Sequence, residues 1–433
     1  MDRRRFLRSG ALLAVPALGQ AHSPQPPDAE AALPPAVQAL KNRIGEAKGI
    51  TLAEREMRLE HARELMARNK FDAILMAGGT SLTYFTGLRW GNSERMMCFV
   101  FPAKGEPFFV VPHFEEGRLR ERLDTVPGGQ KARLFLWQED ESSYELVRKG
   151  LADGGVLTGQ LGIEEKTPFV FANEIARACP NLRLADATPV VAGCRMIKSP
   201  AELALMRLAC SITMQVYEAV WKSAHPGMTT HEFSHLCERA YAHMGVVGET
   251  NCQTGPYSAL PHGSLTPQVI RENEMVLIDD GCLVEGYQSD ISRAWVYGKP
   301  SDTMLRHFDI VHRAQAAARD AAHPGAECQQ VDAAARKVIA DAGLGSDYQT
   351  FVHRVGHGIG MDGHEWPYLV RGNTTMLQPG MTFSDEPATF VPGKFGLRLE
   401  DDMVITANGA ELLTPQSPSL EYPFGRAPSP AQP

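Results

Sequence analysis

Five short segments in the C-terminal part of the chain limit how it can fold. They are IDDG (278–281), SDIS (289–292), GHGIG (356–360), DEP (385–387) and RLEDD (398–402). They carry Asp279, Asp290, His357, Glu386 and Glu400. Each lies in or near a Gly- or Pro-marked stretch, where a backbone turns or approaches another closely. A fold that gathers them must hold four carboxylates around one imidazole. Such carboxylates cannot all stay ionised unless cations lie between them. Two divalent metals and a shared hydroxide suit that donor set. The arrangement is catalytic in kind, because a structural zinc site would be Cys-rich and closed.

The 433 residues suffice for two or three domains with a large core. With 43% hydrophobic and 22% charged residues the composition is that of a globular protein. A net charge of −8 argues against a nucleic-acid partner. Residues 1–21 read as an export signal: the basic MDRRRFLR, the apolar run Ala11–Leu18 and the small-residue site Gly19-Gln20-Ala21. Arg3-Arg4 before Arg5, Phe6 and Leu7 fits the twin-arginine subtype, so a periplasmic or secreted protein is expected. After it, no stretch approaches the ~20 apolar residues of a membrane span, and no membrane association is expected after export. The eight cysteines are scattered without a CxxC pair and read as reduced core residues.

Residues 22–49 are expected to be a linker, Pro- and Ala-rich at 22–36. Residues 50–196 read as an α/β domain. Leu52–Asn69, Glu115–Leu123, Tyr144–Ala152 and Phe169–Ala178 have helical patterns. Asp72–Met76, Met97–Phe101, Pro107–Val111, Ala132–Trp137 and Gln160–Ile163 read as strands. Ser199-Pro200 opens a second domain, 197–416, with Ser199 as helix cap and Glu202 three residues on. That helix is expected to reach Ser223. Another follows Thr229-Thr230, and two more fall at about 302–321 and 328–342. Residues 417–433 read as a Pro-rich tail.

Met275–Ile278 and Ile291–Val296 read as neighbouring strands, which brings Asp279 and Asp290 to one end. Strand alternation lets only one of Asp279 and Asp280 enter the site. It likewise sets Arg398, Glu400 and Asp402 on one face and Asp401 on the other. Taken singly, each acid could equally be a turn or edge residue. A lone His is more often a surface or hydrogen-bonded core residue than a ligand, but His353 and His364 lie close enough in sequence to share a cavity with His357.

Together the segments resemble the creatinase/aminopeptidase family of "pita-bread" metallopeptidases, in its Xaa-Pro aminopeptidase and prolidase group. The family pattern reads here as Asp279-Asp280-Gly281, Ser289-Asp290-Ile291-Ser292-Arg293, Gly356–Gly360, Glu386-Pro387 and Arg398-Leu399-Glu400-Asp401. Ala259–Gly263 and Arg195–Pro200 match as well, and the resemblance covers about 50–415. It implies an α/β N-terminal domain plus an α+β pita-bread catalytic domain. In it Asp290 and Glu400 bridge two metals, Asp279 holds one, and His357 with Glu386 holds the other. His262 and His364 contact substrate, His353 lines the site, Glu386 moves a proton, and Arg398 supports the ligands. Asp280 stands where the family has a small residue, and Ala388-Thr389-Phe390 where it has Gly-Ile-Tyr.

Hard oxygen donors favour manganese, with cobalt, zinc or iron as alternatives. The leading expectation is an exported aminopeptidase that removes the residue before proline from a peptide. The alternative is a prolidase that takes Xaa-Pro dipeptides. A creatinase-like hydrolase, a metal-dependent lyase and an inactive binding protein of the same fold rank lower. A homodimer or homotetramer follows from the resemblance.

Overall fold

The computed structural model describes residues 32–425. The expected signal segment, residues 22–31 of the expected linker and the last eight residues of the expected tail lie outside them.

The N-terminal sheet has six strands: β1 Ala73–Ala77, β2 Cys98–Pro102, β3 Phe108–Pro112, β4 Arg133–Trp137, β5 Gly159–Ile163 and β6 Leu182–Asp186. Their order is β4-β3-β2-β1-β5-β6. β1–β2 and β2–β3 pair antiparallel, and the remaining pairs are parallel. Alternation along β1 and β2 builds two cores. Ile74, Met76, Phe99 and Phe101 pack under Leu52–Asn69 and Thr188–Met196. Leu75, Cys98 and Val100 pack under Ser143–Asp153 and Phe169–Ala178. A sheet buried on both faces explains why these strands read as continuous apolar runs.

The second domain begins with a capping box. Ser199 Oγ accepts from Glu202 N at 3.2 Å, and Glu202 Oε2 accepts from Ser199 N at 2.8 Å. The helix runs Pro200–Ser223. It is long and apolar enough to cross a membrane, but 61% of its most apolar stretch is buried inside the protein. This differs from the expectation that no stretch after the export signal approaches a membrane span. Thr230–His243 pairs with it, and Asp302–Ala321 pairs with Cys328–Asp341.

Thirteen short strands follow or interleave with these helices: β7 Val247–Gly248, β8 Asn251–Thr254, β9 Met275–Asp279, β10 Cys282–Val284, β11 Tyr287–Gln288, β12 Arg293–Val296, β13 Gly356–Gly358, β14 Glu365–Leu369, β15 Thr382–Asp385, β16 Ala388–Val391, β17 Phe395–Arg398, β18 Asp401–Thr406 and β19 Gly409–Leu412. Register places the chemistry. β9 pairs with β12 through Ile278↔Arg293, so Asp279 and Asp290 leave the same end of the ladder. Asp385↔Asp401 and Ala388↔Arg398 bracket Glu386 and Glu400 between two ladders.

Several elements differ from expectation. Residues 32–49 are not a plain linker: Pro35–Gln38 forms a helical turn with Val37 buried, and Ile44–Glu46 forms a 3-10 turn. The tail packs at its start, with Leu420 in the core and Trp221 against Phe424 at 5.8 Å. The helix expected at 115–123 is broken into a helix Glu116–Arg120 between two 3-10 turns, with Gly117 in its first turn lowering helix propensity. All eight cysteines are buried and unpaired.

Candidate active site

The strands deliver the expected residues to one place. Donor atoms of Asp279, Asp290 and Glu400 lie within 4.8 Å of one another. The same holds for His357, Glu386 and Glu400, and for Asp290, His357 and His364. Glu400 therefore belongs to two donor groups, and Asp290 links the Asp279 side to the His357 side.

The imidazole shows what the cluster accommodates. His357 Nδ1 lies 3.2 Å from Gly358 O, to which it donates, so Nε2 presents a lone pair. That lone pair faces Glu386 Oε1 at 3.3 Å and Asp290 Oδ2 at 3.6 Å. Burial, then the neighbouring His364, holds the ring neutral by pushing its pKa well down. Three electron-rich atoms facing one another fit a cation between them. The flanking glycines serve backbone packing. A Cβ on Gly356 would lie 2.0 Å from Ser384 O, and one on Gly358 2.5 Å from Glu365 O.

Electrostatics point the same way. Burial, then the charge of Asp279, raises the Asp290 carboxyl well above its usual range. Burial, then Asp290 and Glu386, does the same to Glu400. Glu386 is pushed up to about 7 by burial, although Arg398 opposes the shift. Asp279 alone stays low, at about 2: burial raises it, and the Arg398 guanidinium and Ser292 hydroxyl outweigh that. One guanidinium against four clustered carboxylates, two buried and two half-buried, leaves negative charge that two divalent cations would balance. The residues present fit such a pair.

The structure also separates Asp279 from Asp280. Asp280 has a positive φ of 84° and turns its carboxylate to accept from Asn251 N at 3.0 Å. Arg398 contacts Asp279 directly, lies 3.6 Å from Glu400 Oε2, and donates to Pro261 O at 3.2 Å. It thus holds the loop of His262, which is exposed. The His364 ring packs 3.9 Å from that of His357, centroid to centroid, tilted by 42°. His353 packs between Phe351 and Phe390, with Nδ1 3.7 Å from Glu386 Oε2 and a buried, unpartnered Nε2.

Three contributors were missed in the sequence. Ser292 Oγ lies 2.6 Å from both Asp279 Oδ1 and Glu400 Oε2, with one proton to share, and accepts from Arg398 Nε at 2.8 Å. Its position two residues after Asp290 could have signalled it. Ser384 Oγ accepts from His357 N at 3.0 Å and donates to Glu386 Oε1 at 3.3 Å. Arg354 Nη2 lies 3.1 Å from His364 Nδ1 and over the Tyr368 ring. A cavity of about 390 Å³ opens beside Asp290 and His364.

Fold and site together define a metal-dependent hydrolase of two domains. The chain belongs to metallopeptidase family M24: that family's model matches residues 204–407, and the creatinase/prolidase N-terminal domain matches 58–197. It is similar to a probable dipeptidase PepE of Mycobacterium tuberculosis, 34% identical over 340 residues, covering 78% of this chain and 88% of that one. It is 32% identical to an Xaa-Pro dipeptidase of Lactobacillus delbrueckii subsp. lactis, covering 84% and 98% of the two chains. The crystal structure of dipeptidase PepE from Mycobacterium ulcerans superposes with a TM-score of 0.80 at 31% identity, covering 86% and 99%.

Proposed function

We propose that this protein is an Xaa-Pro dipeptidase, hydrolysing the bond before proline in a dipeptide. The observation that carries the reading is the pair of donor groups joined through Glu400. The aminopeptidase expectation gives way to its alternative, because the similar proteins above are named dipeptidases.

In the proposed reaction Asp279, Asp290, His357, Glu386 and Glu400 would hold two divalent cations, which would supply an acidified water and a polarised scissile carbonyl. Glu386 then takes the proton of the attacking water and passes it to the departing amine. His364 and His262 supply hydrogen bonds to the oxygen that gains charge. Arg398 and Ser292 keep Asp279 and Glu400 oriented. The Arg354 guanidinium beside His364 suits the free carboxylate of a dipeptide, which a longer peptide would lack there. A cavity of about 390 Å³ is of small-molecule size.

The oxygen-rich donor set supports manganese, with cobalt, zinc or iron as alternatives. The basic, apolar and small-residue order of residues 1–21 supports export. Hydrolysis of an Xaa-Pro dipeptide should be compared with that of Xaa-Pro-Yaa after manganese loading. The reading expects cleavage of the dipeptide alone. Comparable kcat/KM on the tripeptide would restore the aminopeptidase.

A further inference from the structure

A second cavity, of about 570 Å³, lies between the two domains and is lined by none of the catalytic carboxylates. Its N-terminal wall carries Arg55, Arg89, Arg118 and Arg122. Its catalytic-domain wall carries Tyr287 and Met361. Glu121 and Glu285 also line it, so with Arg58 five guanidiniums meet two carboxylates. Arg58 lines it too but is spoken for: it donates to Tyr84 O at 2.9 Å and Tyr287 Oη at 3.0 Å, and lies 3.2 Å from Glu54 and 3.4 Å from Glu202.

The other arginines are placed differently. Among the described residues, no carboxylate lies within 4.0 Å of the guanidiniums of Arg55, Arg89 or Arg122, whereas most arginines of this chain have one that close. Arg118 approaches Glu115 only to 3.6 Å and lies 4.5 Å over the Trp90 ring. Arg55 is half-buried and packed on the backbone of Gly87, where a Cβ would sit 2.8 Å from its Cζ. Burial and the neighbouring charge of Arg58 both disfavour its positive charge. Holding Arg55 half-buried beside Arg58 costs free energy that a bound anion returns, and Arg89, Arg118 and Arg122 are exposed and open to the same anion. Guanidinium forks match the paired oxygens of phosphoryl groups, and several forks around one cavity suit more than one such group.

We propose that this interdomain cavity binds a small anion bearing two or more phosphoryl groups, held by Arg55, Arg89 and Arg122. The site is separate from the metal centre. Met361 belongs to the loop that ends in His364, so an occupant would touch both the N-terminal domain and that loop.

The test is calorimetric titration of the full chain with inorganic pyrophosphate at low ionic strength. Saturable one-to-one binding is expected, weakening as salt is raised. Arg55→Gln and Arg122→Gln should each weaken it about tenfold, as loss of one charge-assisted hydrogen bond implies. Both variants should keep the wild-type melting temperature and dipeptide hydrolysis. Arg122 is exposed, so its variant stands if Arg55→Gln misfolds. Binding should persist in Asp290→Ala, which separates the cavity from metal capture at the catalytic centre. Absence of saturable binding, binding indifferent to both arginine variants, or binding lost in Asp290→Ala would each overturn the proposal. Equal affinity for citrate would overturn the phosphoryl assignment.

Discussion

Arg195 Nη2 lies 2.7 Å from Asp362 Oδ2, and that contact fastens the N-terminal domain to the loop between His357 and His364. Lys166 Nζ reaches the same oxygen at 2.6 Å, and Thr80 Oγ1 donates to Oδ1 at 2.7 Å. Asp362→Asn keeps the shape but removes the charge that holds two cations. Metal content should stay at the wild-type level while kcat/KM on an Xaa-Pro dipeptide falls, because His364 is no longer held. An unchanged kcat/KM would show that the loop is positioned without this contact.

Glu365 is the deeper anchor. It is 7% exposed, contacts Arg195, and accepts from Lys198 Nζ at 2.6 Å. Glu365→Ala strands the buried Lys198 ammonium, leaves Arg195 with Asp362 alone, and should destabilise the protein by about 3–5 kcal/mol. Denaturant unfolding measures this, and a loss below about 1 kcal/mol would contradict the account.

The same pair sets an acid limit. Burial raises the Glu365 carboxyl, but Lys198 and Arg195 outweigh it and leave its folded pKa below the usual glutamate value. A depressed folded pKa gives stability that is present above the unfolded pKa, about 4.3. That stability is lost as pH falls through the folded value. Glu365→Gln should therefore flatten the decline of stability below about pH 4. Melting temperature against pH for both proteins tests the sign.

Ser292→Ala removes the hydroxyl shared by Asp279, Glu400 and Arg398. Partners that orient metal ligands typically contribute about 10–100-fold to affinity or activity. A loss of that size in metal retention is expected by competition with a chelator, with the fold intact by circular dichroism.

Much of this was legible in sequence. Ser199, Pro200 and Glu202 announced a helix start through local capping chemistry. The carboxylates stood out because Gly and Pro mark the turns that carry them. Less local features escaped. β6, LRLAD, is a short edge strand whose apolar run is broken by Arg183 and ends at Asp186. Thr188–Met196 is rich in valine and holds a glycine, so only its packing of Val190, Val191 and Cys194 makes it a helix. Ser384 gave no signal because a serine's role depends on what folds against it. The interdomain arginines are spread over residues 55–122 and meet only in three dimensions.

The central claim is that Asp290 and Glu400 hold metal on which hydrolysis depends. Metal content by plasma mass spectrometry should be measured alongside Xaa-Pro hydrolysis in wild type, Asp290→Ala and Glu400→Ala. Divalent metal bound by wild type, with metal and activity lost together in both variants, is the predicted result. Wild-type activity in either metal-depleted variant would contradict it.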